Sequence, residues 1–178
     1  MKAVFEKIYD EYHQDLYQFI FYMVKDKETC EDLVQEVYIK VINSYDSFKG
    51  DSSKKTWLFS IARHVTIDYF RRKKRKRKRI SEFFDWGEKG HLLQDQKPLP
   101  EEIAIQNEAV QNVYRYLDKC TDDQKSVLIL RYIHSFSIQE TADILNFTPS
   151  KVKTTQHRGL KVLRNYLNEE QQRGGDVL

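Results

Sequence analysis

Cysteine is nearly missing from this chain. Cys30 and Cys120 are the only two in 178 residues, far apart and outside any C-x-x-C spacing. Two such cysteines are not the pattern of a disulfide framework or of a zinc site, and both thiols are expected to be ordinary and reduced. The five histidines, His13, His64, His91, His134 and His157, stand alone, without an H-E-x-x-H motif or an acidic partner at ligand spacing. No nucleophile with a matching base and no cluster of carboxylates is visible, so neither a metal, nor a cofactor, nor an enzyme is expected. Long apolar runs are also lacking: nothing approaches the roughly 20 residues that span a bilayer. The first segment, MKAVFEKIYDEYHQDLYQFI, interrupts its apolar residues with charge and does not read as a signal peptide. The expectation is a protein that stays in the cytoplasm, where it is made.

What the chain does have is helical periodicity and charge. Val4, Ile8, Tyr12, Leu16, Phe19 and Met23 recur at steps of three and four, which marks one buried helix face. Thr29 and Asp32 have the spacing of a capping box ahead of a second helix that buries Leu33, Val37 and Val41. After a loop containing Gly50, Ser52 and Ser53, a third stripe holds Leu58, Ile61, Ala62, Val65 and Tyr69. Past residue 79 the signal fades. Gly87, Gly90, Pro98 and Pro100 sit among acids and glutamines, the composition of a linker. Periodicity returns with Ile105, Ala109, Val113 and Leu117, and two more capping boxes follow, Thr121 with Gln124 and Ser137 with Glu140. The organisation expected is all-α: a helical domain over 1–79, a flexible linker over 80–104, a second helical domain over 105–168, and a disordered tail over 169–178.

The net charge of +3 conceals a strong asymmetry, because Arg71 to Arg79 are nine consecutive cations. Such a block repels itself and favours a polyanion. Nucleic acid is the leading partner. An acidic membrane is weaker, since no adjacent apolar helix face anchors the run.

The second domain carries the more specific signal. From Ser135 to Leu167 a short capped helix, a turn at Asn146 and a longer polar helix opened by Thr148 and Pro149 have the layout of a helix-turn-helix. Val152, Leu160, Leu163 and Leu167 can pack inward, while Lys151, Lys153, Thr154, His157 and Arg158 face out. A recognition helix enters the major groove N-terminus first, so these side chains would reach base edges or phosphates. The same stretch also fits a plain helical hairpin with a solvated basic face.

In the first domain, Asp32, Gln35 and Glu36 lie opposite Leu33 and Val37, as a solvated or a docking face. Phe48 and Trp57 flank the Gly-Asp-Ser loop beside the basic helix. Aromatic rings there suit unstacked bases, and they equally suit core filling.

Three stretches in order decide the family: EDLVQE; then F-x-G-D-S, TWL-x-x-IARH and D-x-x-R-R; then VKTTQHRGLKVLR. Together they resemble the extracytoplasmic-function group of sigma-70 factors over nearly the whole chain apart from linker and tail. The resemblance implies a sigma factor that binds RNA polymerase core, with region two in the first domain and region four in the second. It implies polymerase docking through Asp32, Gln35 and Glu36. It implies recognition and melting of the minus-ten element through Phe48, Trp57, His64, Arg71 and Arg72, with Phe48 near a flipped base. It implies reading of the minus-thirty-five element of promoter DNA by Lys151, Lys153, Thr154, His157 and Arg158. An anti-sigma factor, membrane-linked, is the implied inhibitor. One position departs from the pattern: Gln156 stands where the family usually buries an aliphatic side chain, so the start of the recognition helix is expected to be rolled or partly wet.

Three alternatives compete. A stand-alone helix-turn-helix regulator leaves EDLVQE and TWL-x-x-IARH unexplained. A DNA-cleaving enzyme needs a constellation that is not visible, and metal-dependent strand cleavage would reveal it. A membrane adaptor would float with liposomes.

Overall fold

The structure, a computed structural model, describes residues 2–48, 50–84 and 108–175. Every regular element among them is helical. The first unit contains α1 (Lys2–Val24), α2 (Lys27–Ser44) and α3 (Lys54–Phe84), with one 3-10 turn, Tyr45–Ser47, after α2. Ile8, Leu16, Phe19, Ile20 and Met23 of α1 are buried against Leu33, Val34, Val37 and Val41 of α2 and Leu58, Phe59, Ala62 and Val65 of α3. Each of these side chains other than Ala62, removed from water, stabilises the fold by roughly 1.5–3 kcal/mol.

The start of α2 differs from the Thr29–Asp32 expectation. The N-cap is Asp26, in extended conformation, and its carboxylate accepts the Thr29 N–H at 2.9 Å. Lys25, at φ +55°, reverses the chain just before it. An anionic cap complements the positive helix N-terminus and satisfies an orphan donor, so the helix begins where that acceptor stands.

The second unit contains α4 (Glu108–Tyr116), α5 (Asp122–Leu128), α6 (Ile138–Leu145) and α7 (Pro149–Gly175). A 3-10 turn, Leu117–Lys119, follows α4, and a π turn, Ile129–Ile133, extends α5. Both capping boxes form, Thr121 with Gln124 and Ser137 with Glu140. The two hydrogen bonds from Ser137 hold the Glu140 carboxyl below its usual range. Asn146, left-handed at φ 54°, ends α6, a conformation its short polar side chain tolerates. Thr148 Oγ1 then accepts the Lys151 N–H at 3.1 Å and caps α7.

Two helix ends extend beyond the expected domain edges. α3 continues five residues past Arg79, to Phe84; of the linker expected over 80–104, residues 85 onward lie outside the described residues. The tail expected to be disordered over 169–178 is helical to Gly175, because Glu169, Glu170, Gln171, Gln172 and Arg173 are all good helix formers, and two glycines close the segment. Residues 176–178 lie outside the description.

The two units dock on each other. The Phe59 ring meets His134 at 5.1 Å and Phe136 at 4.9 Å. Arg63 pairs with Asp123 at 2.7 Å, and Asp118 receives both Lys25 at 3.0 Å and Lys125 at 3.2 Å. Lys125 also reaches the Met23 carbonyl at 3.5 Å, and Lys25 donates to the Tyr114 carbonyl. Lys125 is only 7% exposed, so these acceptors replace the water it has lost. Both cysteines are free and buried, and burial pushes the Cys30 thiol up to about 12, which keeps it inert.

Candidate nucleic-acid interface

Three aromatic rings gather at the loop before α3. Tyr45 closes on Phe48 at 6.4 Å, and Trp57, in the first turn of α3, meets Phe48 at 4.9 Å and Tyr45 at 6.1 Å. Gly50, at φ +77°, makes the backbone reversal between them, a conformation that favours glycine. Ser53 Oγ accepts the Thr56 N–H at 3.0 Å and starts the helix. All three rings are half-buried. Tyr45 and Trp57 lean on the core, the packing use foreseen for Trp57. Tyr45 was not foreseen; its only sequence signal is a third aromatic three positions before Phe48.

Beyond this cluster α3 becomes a solvent-facing cationic rod. His64 is exposed, its Nδ1 2.7 Å from the Ser60 carbonyl. Every residue from Arg71 to Arg79 is exposed. A helix that is cationic on every side has like charges at each i,i+4 spacing, each destabilising by about 0.2–0.5 kcal/mol. A polyanion relieves that repulsion.

On α2 the three acidic and amide residues are not equivalent. Asp32 and Gln35 are exposed, whereas Glu36 is half-buried and pairs with Arg72 of α3 at 3.5 Å. Asp32 and Gln35 instead share their face with Ile39 and Ile42, which are 59% and 43% exposed. Two large apolar side chains thus stand in water beside polar ones. Both isoleucines fall off the Leu33–Val37–Val41 stripe, a signal present in the sequence and overlooked there.

On α7, Val152 is fully buried and Lys151, Lys153, Thr154, His157 and Arg158 are exposed. Val152 seats the helix start, and Gln156, half-buried where an aliphatic side chain was expected, has a partner: Arg131 Nε donates to its Oε1 at 3.1 Å. Gly159 permits close approach, since a Cβ there would stand 3.0 Å from Leu128 Cδ1. Lys151 lies over the Phe147 ring, 3.4 Å from its centroid.

The docked units enclose a cleft of about 740 Å³ between α3 and the helix-turn-helix, lined by Arg63, His64, Arg71 and Lys74 on one side and by Phe147 and Lys151 on the other. The first turn of α7 thus faces the basic helix. His64 and Arg71, assigned to one promoter element, and Lys151, assigned to the other, are brought to one place; Phe48 and Trp57 are held apart in their own cluster.

Comparison with known proteins agrees with this architecture. Residues 8–76 match the Sigma-70 region 2 family and residues 111–163 the Sigma-70, region 4 family. The chain is 59% identical to the ECF RNA polymerase sigma factor SigX of Bacillus subtilis, over 94% of this chain and 85% of that one. It is 32% identical to the RNA polymerase sigma factor YlaC of the same organism, over 94% of each. In structure it is similar to the sigma factor RpoE of Bartonella quintana, solved in complex with the anti-sigma factor NepR, with a TM-score of 0.72, 25% identity, and coverage of 92% and 96% of the two chains. Two matched regions in order, and identity of this extent along the chain, place it in the extracytoplasmic-function group of the sigma-70 family of RNA polymerase sigma factors.

Proposed function

We propose that the chain divides the work of a sigma factor, which binds polymerase core and directs promoter recognition, among three surfaces. The α2 face with Asp32 and Gln35, centred on Ile39 and Ile42, docks on core polymerase, with Glu36 and Arg72 at its edge. The Tyr45–Phe48–Trp57 cluster receives an extruded base of the minus-ten element, while His64, Arg71 and Arg72 hold the strand. Lys151, Lys153, Thr154, His157 and Arg158 read the minus-thirty-five element. The division of labour runs between the expected domains, 1–79 and 105–168, whose last helices continue to Phe84 and Gly175. The family regulates transcription and is not a class of enzymes, and the reading assigns this chain no catalytic step. No helix among the described residues is long and apolar enough to cross a membrane, and the cytoplasm is the proposed place of action. An anti-sigma factor, membrane-linked, is the proposed inhibitor, as RpoE is held by NepR.

The observation that carries the reading is the union, in one chain, of a half-buried aromatic cluster running into an exposed cationic helix with a helix-turn-helix that presents its own polar face. In the docked form Lys151 faces the basic helix across the cleft, while Lys153, Thr154, His157, Arg158 and the Phe48–Trp57 cluster lie outside its lining. Core polymerase sets the spacing at which the two units meet the promoter elements. The test is run-off transcription with reconstituted core, together with a salt titration of promoter and scrambled duplexes. The free chain should bind DNA weakly, with steep salt dependence and little preference; the holoenzyme should bind specifically and initiate. Tight, sequence-specific binding by the free chain, unchanged by core, would favour a stand-alone regulator.

A further inference from the structure

Arg131 stands in the π turn that extends α5, a turn closed by the His134 N–H on the Ile129 carbonyl at 3.1 Å. The wider i→i+5 turn redirects the side chains that follow it, relative to a continuous α-helix. The half-buried guanidinium that results is held at two points. Its Nη1 donates to the Phe136 carbonyl in the turn leading to α6, and its Nε donates to Gln156 Oε1 at 3.1 Å. One rigid planar group thus ties the segment leading into α6 to α7.

Gln156 directly precedes the exposed His157 and Arg158. An aliphatic side chain at 156 would rest on its neighbours without directional preference, and would leave the Arg131 Nε–H half-buried and unmet. A hydrogen bond to a guanidinium already fixed by a main-chain carbonyl is directional. It therefore constrains rotation of α7 about its own axis. At a side-chain radius of about 5–6 Å, a roll of about 20° displaces a tip by on the order of 2 Å. Base readout tolerates about 0.5 Å.

We infer that Arg131 and Gln156 are positioning residues: their pair sets the roll of the recognition helix, so that His157 and Arg158 meet base edges in one register. The pair sharpens discrimination at the upstream promoter element and adds little general affinity for DNA. This rests on reading α7 as the recognition helix.

The test uses holoenzyme and an upstream element selected by the wild type from a randomised promoter library. Transcription from the selected element is divided by that from single-base variants to give a discrimination ratio. Gln156→Leu should lower the ratio on the order of tenfold. Gln156→Glu, which keeps the acceptor, should hold it within about twofold, and Arg131→Met combined with Gln156→Leu should lose no more than the worse single change. Core binding should not move in any variant. In the free protein the Arg131 Nε–Hε resonance should be resolved and slow to exchange, and Gln156→Leu should collapse it onto the solvent-exposed arginines. Wild-type discrimination by Gln156→Leu, independent multiplying losses in the double variant, or an Arg131 Nε–H that exchanges freely in the wild type would each overturn the inference. If the wild-type holoenzyme selects no upstream sequence at all, the recognition-helix reading itself fails.

Discussion

Lowering the pH from 7 to 5 should loosen this molecule through one side chain at the junction of its two units. His134 is 8% exposed, 5.1 Å from the Phe59 ring and 6.3 Å from that of Phe19, and its Nε2 is buried without a hydrogen-bond partner. Burial pulls its pKa from 6.5 down to about 4, with Asp15 acting against that shift and Lys55 adding to it. The depressed value sets the sign. Between those two values a solvent-exposed His134 takes up a proton and the buried one does not, so stability falls as the solution is acidified through that window. With 6.5 for the exposed ring and about 4 for the buried one, the linkage at pH 5 amounts to about 2 kcal/mol, while at pH 7 it is close to nothing. A change of about 2 kcal/mol shifts an equilibrium about 30-fold. Urea unfolding followed by circular dichroism at the two pH values measures it, with His134→Gln as the non-titrating control. The control carries every other ionisable group of the wild type, so the difference isolates His134. The wild type should lose about 2 kcal/mol more than His134→Gln on acidification. Equal losses would show that the ring is already hydrated or protonated, and would refute the reasoning.

Three further outcomes follow from the surfaces. Gly159→Val should destabilise the second unit by about 1–3 kcal/mol in thermal unfolding, because a Cβ there would stand 3.0 Å from Leu128 Cδ1 and valine adds two methyl groups to that crowding. Reversing charge at Asp32 and Glu36 together should weaken binding to core polymerase in a pull-down or titration while leaving the melting temperature nearly unchanged; Glu36 gives up only a solvent-screened pair with Arg72. Phe48→Ala should slow open-complex formation, read by permanganate footprinting, by the equivalent of roughly 1–3 kcal/mol for one lost stack, and a pre-melted promoter should restore it.

Much of this protein was legible without coordinates, for a specific reason: helix signals are local. The capping boxes at Thr121–Gln124 and Ser137–Glu140, the Asn146 stop and the Thr148 cap each involve residues within three or four positions, and each forms as spaced. The three core stripes follow from a 3.6-residue repeat that any apolar face must obey. The family was legible because its motifs keep their order along the chain. Where local signals competed, reading by spacing failed. Thr29–Asp32 looked like a cap, but Asp26 provided the acceptor one turn earlier.

What only the tertiary structure decided are contacts between residues distant along the chain. That Phe59 would meet His134 and Phe136, or that Arg63, inside an apolar stripe, would find Asp123, depends on how two helical units dock, and no periodicity encodes it. The split of the α2 face is of the same kind: Glu36 turns to Arg72 on the side covered by α3, while Ile39 and Ile42 are left exposed among the described residues. Gln156 reads in sequence as a misfit. In the fold it is the acceptor for a guanidinium twenty-five residues away, placed there by a π turn that composition does not announce. Sequence determined which residues become helix and which faces turn inward, since those choices are made over a few neighbouring residues. The meeting of the faces was decided by packing, where shape and buried charge must be satisfied across the whole molecule at once.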